Sequence, residues 1–160
     1  MAIDNGLLQE VSQFLYQEAR LQDTHAYDEW EALWDDDAVY WVPANGEDSD
    51  PEKEMSFIYD NRSRIALRIK QLKTGKRHSQ TPPSRLARII SNIELLSAAD
   101  DGIHVAANAL IFESNMRGET VWASRNEYTL RRIDDTLKMT RKKVALVNND
   151  KPIYTLSFLV

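Results

Sequence analysis

Histidines are the side chains best suited to acid–base or metal chemistry, and their spacing limits what they can do. The chain has three, His25, His78 and His104, which lie in three different predicted elements. No H-E-x-x-H pattern joins them, and a two-histidine iron site would require the fold to bring separate elements together. We interpret each as a surface or locally hydrogen-bonded residue. His104, which opens a predicted strand, is the one candidate for facing a cavity.

Acidic residues and the absence of cysteine further restrict the chemistry. The carboxylates of residues 47–54 alternate as in a calcium loop, but the glycine and glutamate required at positions six and twelve are missing. With no cysteines, the chain cannot form a disulfide framework, a thiolate-bound cluster or a cysteine nucleophile. There is also no glycine-rich phosphate loop and no G-x-S-x-G turn. We therefore predict no catalytic, cofactor-binding or metal-binding residue in this chain.

The first predicted helix carries two polar residues, Tyr16 and Glu18, that could face the interior. Glu18 lies on the apolar stripe, four residues after Phe14 and three before Leu21. A carboxylate in that position must be paired or must face a polar cavity. We interpret Glu18 as paired and structural, and we group it with Tyr16 and His104 as possible cavity-lining residues.

Aromatic and basic residues suggest where the chain meets other subunits. Aromatic residues are concentrated in the first sixty positions, and basic residues recur along the predicted strands. Aromatic and arginine side chains are common anchors of protein interfaces. The formal net charge of −5 argues against nucleic acid as the partner. We expect most of the aromatic residues to lie in the core, and the basic residues to contact a partner or to pair with acidic residues of the same chain. The possible interface residues are Trp30, Tyr40, Trp41, Arg85, Arg88 and Phe158.

Hydrophobic periodicity predicts helices first and long strands afterwards. Helices are predicted from the Asp4 cap through Leu21, from Thr24 to about Trp34, where three aspartates end the helix, and from Asn61 to about Leu72. Period-two segments predict the following strands: 38–42, 85–98, 102–115, 119–133, 137–147 and 154–159. The long strands require bulges or strong curvature. The fold class is therefore α+β, with a curved, mostly antiparallel sheet packed on N-terminal helices, in a single domain spanning residues 1–160.

The two ends of the chain give further expectations. The N-terminus has no signal-peptide pattern, and no apolar run is long enough to span a membrane, so we expect a cytoplasmic protein. The uncharged residues 154–160 alternate like a strand, so we expect them to be paired in the sheet, with Phe158 packed in the core or at a subunit contact.

Short motifs in a shared order resemble a known family over nearly the whole chain. The opening helix–helix–strand arrangement resembles the cone-shaped nuclear-transport-factor-2-like superfamily. The motifs resemble the small (β) subunit of aromatic-ring-hydroxylating dioxygenases. They are Phe14-Leu15-Tyr16-x-Glu18-Ala19, Tyr27-x-Glu29-Trp30, Asp36-Asp37, Tyr40-Trp41-x-Pro43, Ile58-Tyr59-Asp60, Pro83-Ser84-Arg85-x-x-Arg88, Ser91-Asn92, Gly118-Glu119-Thr120, Arg125-x-Glu127-Tyr128 and Leu130-Arg131-Arg132.

The resemblance implies a non-catalytic, structural β subunit. In that family, a trimer of β chains packs against a trimer of α chains, forming an α3β3 hexamer. The α chain carries a Rieske [2Fe-2S] cluster and a mononuclear iron, and a reductase or ferredoxin supplies electrons to the complex.

Two other functions remain open for a chain of this fold. One is a stand-alone isomerase or dehydratase using Tyr16, Glu18 or His104, although Val42 stands before Pro43, where the isomerases carry their acidic base. The other is a small-molecule-binding protein without chemistry.

Overall fold

A computed structural model describes residues 4–46, 49–75, 82–150 and 158–160, and it confirms an α+β fold. Within these ranges helices precede a long antiparallel meander, as predicted. The helices are α1 (Asn5–Asp23), α2 (Tyr27–Glu31) and α3 (Arg62–Lys73). The strands are β1 (Trp34–Pro43), β2 (Ser56–Asp60), β3 (Arg85–Ala99), β4 (Gly102–Asn115), β5 (Gly118–Ile133) and β6 (Thr136–Leu146).

The six strands form one sheet in the order β2-β1-β6-β5-β4-β3. Neighbouring strands are antiparallel except β1 and β6, which are parallel. The turn from β3 into β4 requires glycine at position 102. There the backbone has a φ of +139°, and a Cβ would lie 2.9 Å from the Thr129 methyl carbon. The chain can therefore reverse tightly against β5 at this point.

Irregularities in the strands provide the predicted curvature. The β3–β4 register shifts between Ser91 and Glu94 and again between Leu95 and Ser97. Asn92, at the first shift, has a positive φ of 53°. Such bulges bend a strand and increase its twist. The long sheet therefore wraps around the helices instead of lying flat.

The inner face of the sheet packs on α1 and α3 to form the core. Helix α1 begins where predicted, with the Asp4 side chain accepting a hydrogen bond from the Leu7 N–H at 3.0 Å. Its buried stripe includes Val11 and Leu15, and Ile65 and Ile69 of α3 are also buried in the same core cluster. None of the helices in the described ranges is long and apolar enough to cross a membrane.

The prediction for residues 24–37 is wrong in two respects. The second helix is only five residues long, Tyr27–Glu31, and the three aspartates lie within β1 instead of ending a helix. Arg131 on β5 pairs with Asp35 and lies 3.8 Å from Asp37, which compensates their charge on the outer side of the sheet. A register shift between Trp34 and Val39 accommodates this segment.

The predicted final strand is only partly within the described residues. Residues 154–157 lie outside them, whereas Phe158 and Leu159 are described and are not in a strand. Their burial is confirmed, since Phe158 and Leu159 are 4% and 3% exposed and belong to the core cluster. Residues 158–160 therefore fill the inside of the cone.

We predict that Leu15→Ala lowers the free energy of unfolding by about 2–5 kcal/mol, because it leaves a cavity where α1 meets the core. Leu67→Ala on α3 is the matched control. Leu67 is 54% exposed, so its effect should stay within about 0.5 kcal/mol. Urea denaturation of both variants measures the difference. Equal losses would contradict the assignment of the inner face.

Candidate functional site

A buried ion pair lies at the centre of the cone. Lys142 of β6 donates to Oε2 of Glu18 on α1 at 2.8 Å, and both side chains are 1% exposed. The same carboxylate oxygen accepts a hydrogen bond from Trp30 Nε1 at 2.7 Å. Charged groups are tolerated in a core only when they are paired and hydrogen-bonded. This confirms that Glu18 is a paired carboxylate.

Gln22 extends this pair into a network that reaches the sheet edge. Its Oε1 accepts from Arg88 Nη1 at 2.8 Å and lies 3.4 Å from Lys142 Nζ. Arg88 is also bound by Asp23, whose carboxylate accepts from the Arg88 Nε at 2.7 Å and from its backbone N–H at 3.0 Å. One turn of α1 thereby holds the edge strand β3 and the central strand β6.

Tyrosine hydroxyls complete the interior network. Tyr40 of β1 donates to the backbone oxygen of Val160 at 2.8 Å and accepts from the Val160 N–H at 3.0 Å. The Tyr128 hydroxyl accepts from Asn126 Nδ2 at 2.9 Å, and Asn126 in turn accepts from Ser124 at 2.8 Å. The interior therefore contains several hydrogen-bonded polar groups among its apolar side chains.

Burial sets the protonation states of these groups. Burial raises the pKa of Tyr40 and of Tyr128, so both hydroxyls stay protonated and able to donate. Burial lowers the pKa of Lys142, while the Glu18 carboxylate beside it opposes that shift.

The interior groups make their contacts within the chain. A general acid or base must reach its substrate's proton at about 2.6–3.2 Å. Glu18 Oε2 and the Tyr40 hydroxyl already make contacts of that length to Lys142, Trp30 and Val160. The arrangement joins α1 and α2 to β1 and β6.

The structure separates the three predicted cavity-lining residues. Only Glu18 faces the interior. Tyr16 is 46% exposed and lines an outer groove of about 400 Å³ between α1 and the β5–β6 turn, because its position on α1 lies off the buried stripe. His104 lies on the outer face of β4, where it contacts Asp101 and Thr129, each at 3.3 Å. The prediction that Tyr16 and His104 line the central cavity of the fold is therefore wrong.

Two predicted interface residues lie instead in the core of the chain. Trp30 and Tyr40 are 0% exposed, and their rings pack edge to face at 5.6 Å, so neither side chain can reach a second subunit in this conformation. This corrects the prediction for both.

The other four interface candidates lie in different settings. Trp41 is on the outer face beneath Arg141 and Lys143, which lie 5.5 and 4.8 Å from its ring centroid. Arg85 is exposed at the start of β3. Arg88 and Phe158 belong to the interior described above. A role at an interface remains a prediction for these residues.

Lys142 is the main interior residue that the sequence interpretation missed. Lys142 is one of the basic residues along the predicted strands, which from sequence suggest contact with a partner. A signal was present, since Lys142 shares the alternation of Val144 and Leu146, which face the core. Because the residues on either side, Arg141 and Lys143, are also positively charged, the local sequence does not distinguish Lys142 from them.

The histidines occupy local hydrogen-bonding positions. His25 Nε2 donates to the Ser84 carbonyl oxygen at 2.8 Å, and its Nδ1 lies 3.0 Å from the Tyr27 hydroxyl. His78 lies outside the described residues. In the described ranges, no three His, Asp or Glu side chains come together in a way that could hold a metal ion.

The helices and the curved six-stranded sheet together form a cone-shaped α+β fold, and this fold defines the class of protein. It is similar to an NTF2-like protein with a cystatin-like fold from Novosphingobium aromaticivorans, with a TM-score of 0.62 and 18% identity, covering 88% of this chain and 81% of that one. At that identity the likeness concerns the fold alone. The chain has an NTF2-like fold.

The particular family follows from sequence similarity. Residues 17–150 match the family described as "Ring hydroxylating beta subunit". The chain is 34% identical over 146 residues to the toluate 1,2-dioxygenase subunit beta of Pseudomonas putida, covering 87% of this chain and 89% of that protein. It is also similar to the beta subunit of benzoate 1,2-dioxygenase from Burkholderia mallei, with a TM-score of 0.79, 27% identity and 99% coverage of both chains. The chain belongs to the ring-hydroxylating β-subunit family.

We predict that Lys142→Met lowers the free energy of unfolding by about 3–5 kcal/mol, because it leaves the Glu18 carboxylate buried and unpaired. The double variant Glu18→Gln/Lys142→Met should recover most of that loss, since the amide oxygen can still accept from Trp30. Urea denaturation measures both effects.

Lys143→Met is the matched control, because Lys143 lies on the opposite face over the Trp41 ring. Its loss should be about 0.5–1 kcal/mol. A Lys142→Met variant no less stable than this control would show that the buried pair is not required.

Proposed function

We propose that this chain is the non-catalytic, structural β subunit of a Rieske-type aromatic-ring-hydroxylating oxygenase. The family match over residues 17–150 is the observation that carries the proposal. The partner is an iron-bearing α subunit, which holds the Rieske [2Fe-2S] cluster and the mononuclear iron and dihydroxylates the aromatic compound. A reductase or ferredoxin supplies electrons to the complex, which acts in the cytoplasm.

Relatives suggest the substrate class of the complex. The two dioxygenases compared above are named for toluate and benzoate, both aromatic carboxylates. An aromatic carboxylate is accordingly the substrate class that we propose for the α subunit bound to this chain.

The outer side of the sheet offers a surface for assembly. On this side, apolar residues of neighbouring strands lie opposite one another in rows that cross β3, β4 and β5. Ile89 pairs with Leu110 in one row, and Phe112 pairs with Ala87 and Val121 in another. Ile89, Leu110 and Phe112 are 54%, 41% and 44% exposed. We call this patch the outer apolar face. It consists of Ala87, Ile89, Leu110, Phe112, Val121, Ala123 and Val147.

We propose that the outer apolar face is buried against a second copy of this chain, in a trimer that forms half of an α3β3 hexamer. Contiguous exposed apolar surface commonly marks an interaction site. The face is built from side chains without charge, so copies can pack on one another without leaving a buried charge unpaired. Closed symmetry is the usual outcome of such contacts.

We predict that co-expression of this chain with an iron-bearing α chain encoded beside it yields one complex. The complex should contain both chains in equal numbers and should oxidise benzoate in preference to benzene. Native mass measurement and product analysis test these two points. Recovery of this chain alone under conditions in which the α chain is folded and loaded with iron would contradict the proposal.

The Leu110→Asp variant tests whether the outer apolar face mediates self-association. The variant should lower the mass of the free chain to that of a monomer in light scattering, because it places a charge in the contact. Leu67→Asp, at a leucine that is also exposed but lies on α3, should leave the mass unchanged. Loss of association in both variants, or in neither, would contradict the assignment of the outer apolar face.

A further inference from the structure

The loop after β1 and the turn after β6 are joined by one residue, Asn149. Its side-chain Oδ1 accepts a hydrogen bond from the Gly46 N–H at 3.0 Å, and its backbone oxygen accepts one from the Asn45 N–H at 3.1 Å. Asn149 is itself positioned, because its own N–H donates to the Leu146 oxygen at 3.2 Å. We call the two contacts to residues 45 and 46 the Asn149 clamp. The clamp holds two consecutive backbone N–H groups with two oxygens of a single residue.

The backbone conformation of this loop explains why it contains asparagine followed by glycine. Asn45 has a φ of 62° and Gly46 has a φ of 104°. Asparagine tolerates a positive φ better than most residues, and glycine adopts one without steric cost. A Cβ at residue 46 would meet no atom within 4 Å, so it is the backbone conformation, and not crowding, that favours glycine there. The loop therefore depends on an Asn-Gly pair.

An Asn-Gly pair is chemically labile. The backbone nitrogen of the glycine attacks the side-chain Cγ of the asparagine and gives up its proton, while the bond from Cγ to the amide nitrogen breaks and ammonia leaves. Water then opens the succinimide ring that has formed, which yields aspartate or isoaspartate in place of asparagine. No electrons are transferred, and water is the only co-reactant. Glycine permits the attack because it has no side chain to shield its nitrogen.

We propose that Asn45 is a site of deamidation and that the Asn149 clamp sets the rate of this reaction. The Gly46 nitrogen is the nucleophile, and in the folded chain its N–H is held by Asn149 Oδ1. The nitrogen must leave this contact before it attacks Cγ, so the reaction proceeds from a locally opened loop. Asn45 is exposed, so water reaches the ring that forms. The proposal does not depend on the role of the chain in assembly.

Deamidation at Asn45 changes a surface beside the outer apolar face. Gly46 and Asn149 line a groove of about 470 Å³ together with Arg125 and Val147, and Val147 belongs to that face. The product carries a carboxylate in place of a neutral amide, and the isoaspartate form also lengthens the backbone by one carbon. The longer backbone alters the spacing of the two N–H groups that the Asn149 clamp holds. Conversion therefore weakens the connection between the two loops.

The test follows conversion at Asn45 by peptide mapping and mass spectrometry while the full chain is incubated in mildly alkaline buffer. Asn149→Ala removes Oδ1 and keeps the backbone oxygen. It should raise the rate at Asn45 about two- to tenfold, the effect expected of one hydrogen bond. Asn149→Asp keeps a side-chain acceptor and should leave the rate close to that of the unchanged chain. Equal rates in the unchanged chain and Asn149→Ala, or equal increases in both variants, overturn the proposal.

The matched control lies in the same molecule. The chain has one other Asn-Gly pair, Asn5-Gly6, at the start of α1. Because α1 and not the Asn149 clamp holds this pair, its rate of conversion should be the same in the unchanged chain and in both variants. A rise at Asn5 as large as the rise at Asn45 overturns the proposal, since the clamp would then have no specific effect on Asn45.

A second comparison does not require any variant to fold. In the unchanged chain unfolded by guanidinium the clamp is absent, so Asn45 should convert about tenfold faster than in the folded chain, because two backbone hydrogen bonds no longer hold the loop. Hydrogen exchange at the Gly46 amide should show the same order, slow when folded and fast when unfolded. Equal conversion of Asn45 in the folded and unfolded chains, or no conversion in the unfolded chain, overturns the proposal.

Discussion

The Glu18–Lys142 ion pair is the constraint on which the rest of the structure depends. Both charges are buried, and a buried charge without its partner is strongly destabilising. The pair therefore fixes the rotation of α1 and its position along β6. With that rotation set, Gln22 faces Lys142 and Arg88, and the Trp30 indole reaches the Glu18 carboxylate. Helix α2 therefore contacts the pair directly through Trp30, and the edge strand β3 contacts its neighbour Gln22 through Arg88.

The two sides of the sheet differ in character. The inner side is polar at its centre and is filled by the chain itself, so its groups bind one another. The outer side carries aligned apolar rows across three strands, with Arg125 paired to Glu94 beside them. A subunit that supports a partner needs an exterior able to associate and an interior that does not change. This division agrees with membership of a β-subunit family and with the role that we propose for the chain.

Regular alternation made the long strands predictable. The Asp4 cap made the first helix predictable, and the apolar spacing of Ile65, Ile69 and Leu72 made the third predictable. Glu18 could be interpreted as paired because it interrupts an apolar stripe, but its partner lies 124 residues away in sequence and could not be named. The burial of Trp30 and Tyr40 and the exposure of Tyr16 and His104 depend on how helices and strands face each other, and local pattern does not determine that. The aspartates of β1 were misassigned because Arg131, which compensates them, comes from a distant strand.

The central claim, that the interior supports the fold and takes no part in the chemistry, is tested most directly by oxygenase turnover per iron. The assembled complex should carry Glu18→Gln/Lys142→Met, which replaces both interior charges together. The account predicts turnover within an order of magnitude of the unsubstituted complex, provided that the mass and iron content are unchanged. A catalytic acid or base contributes about 10²–10⁴-fold. A loss of that size in an intact, iron-loaded complex would contradict the account and place these groups in the reaction.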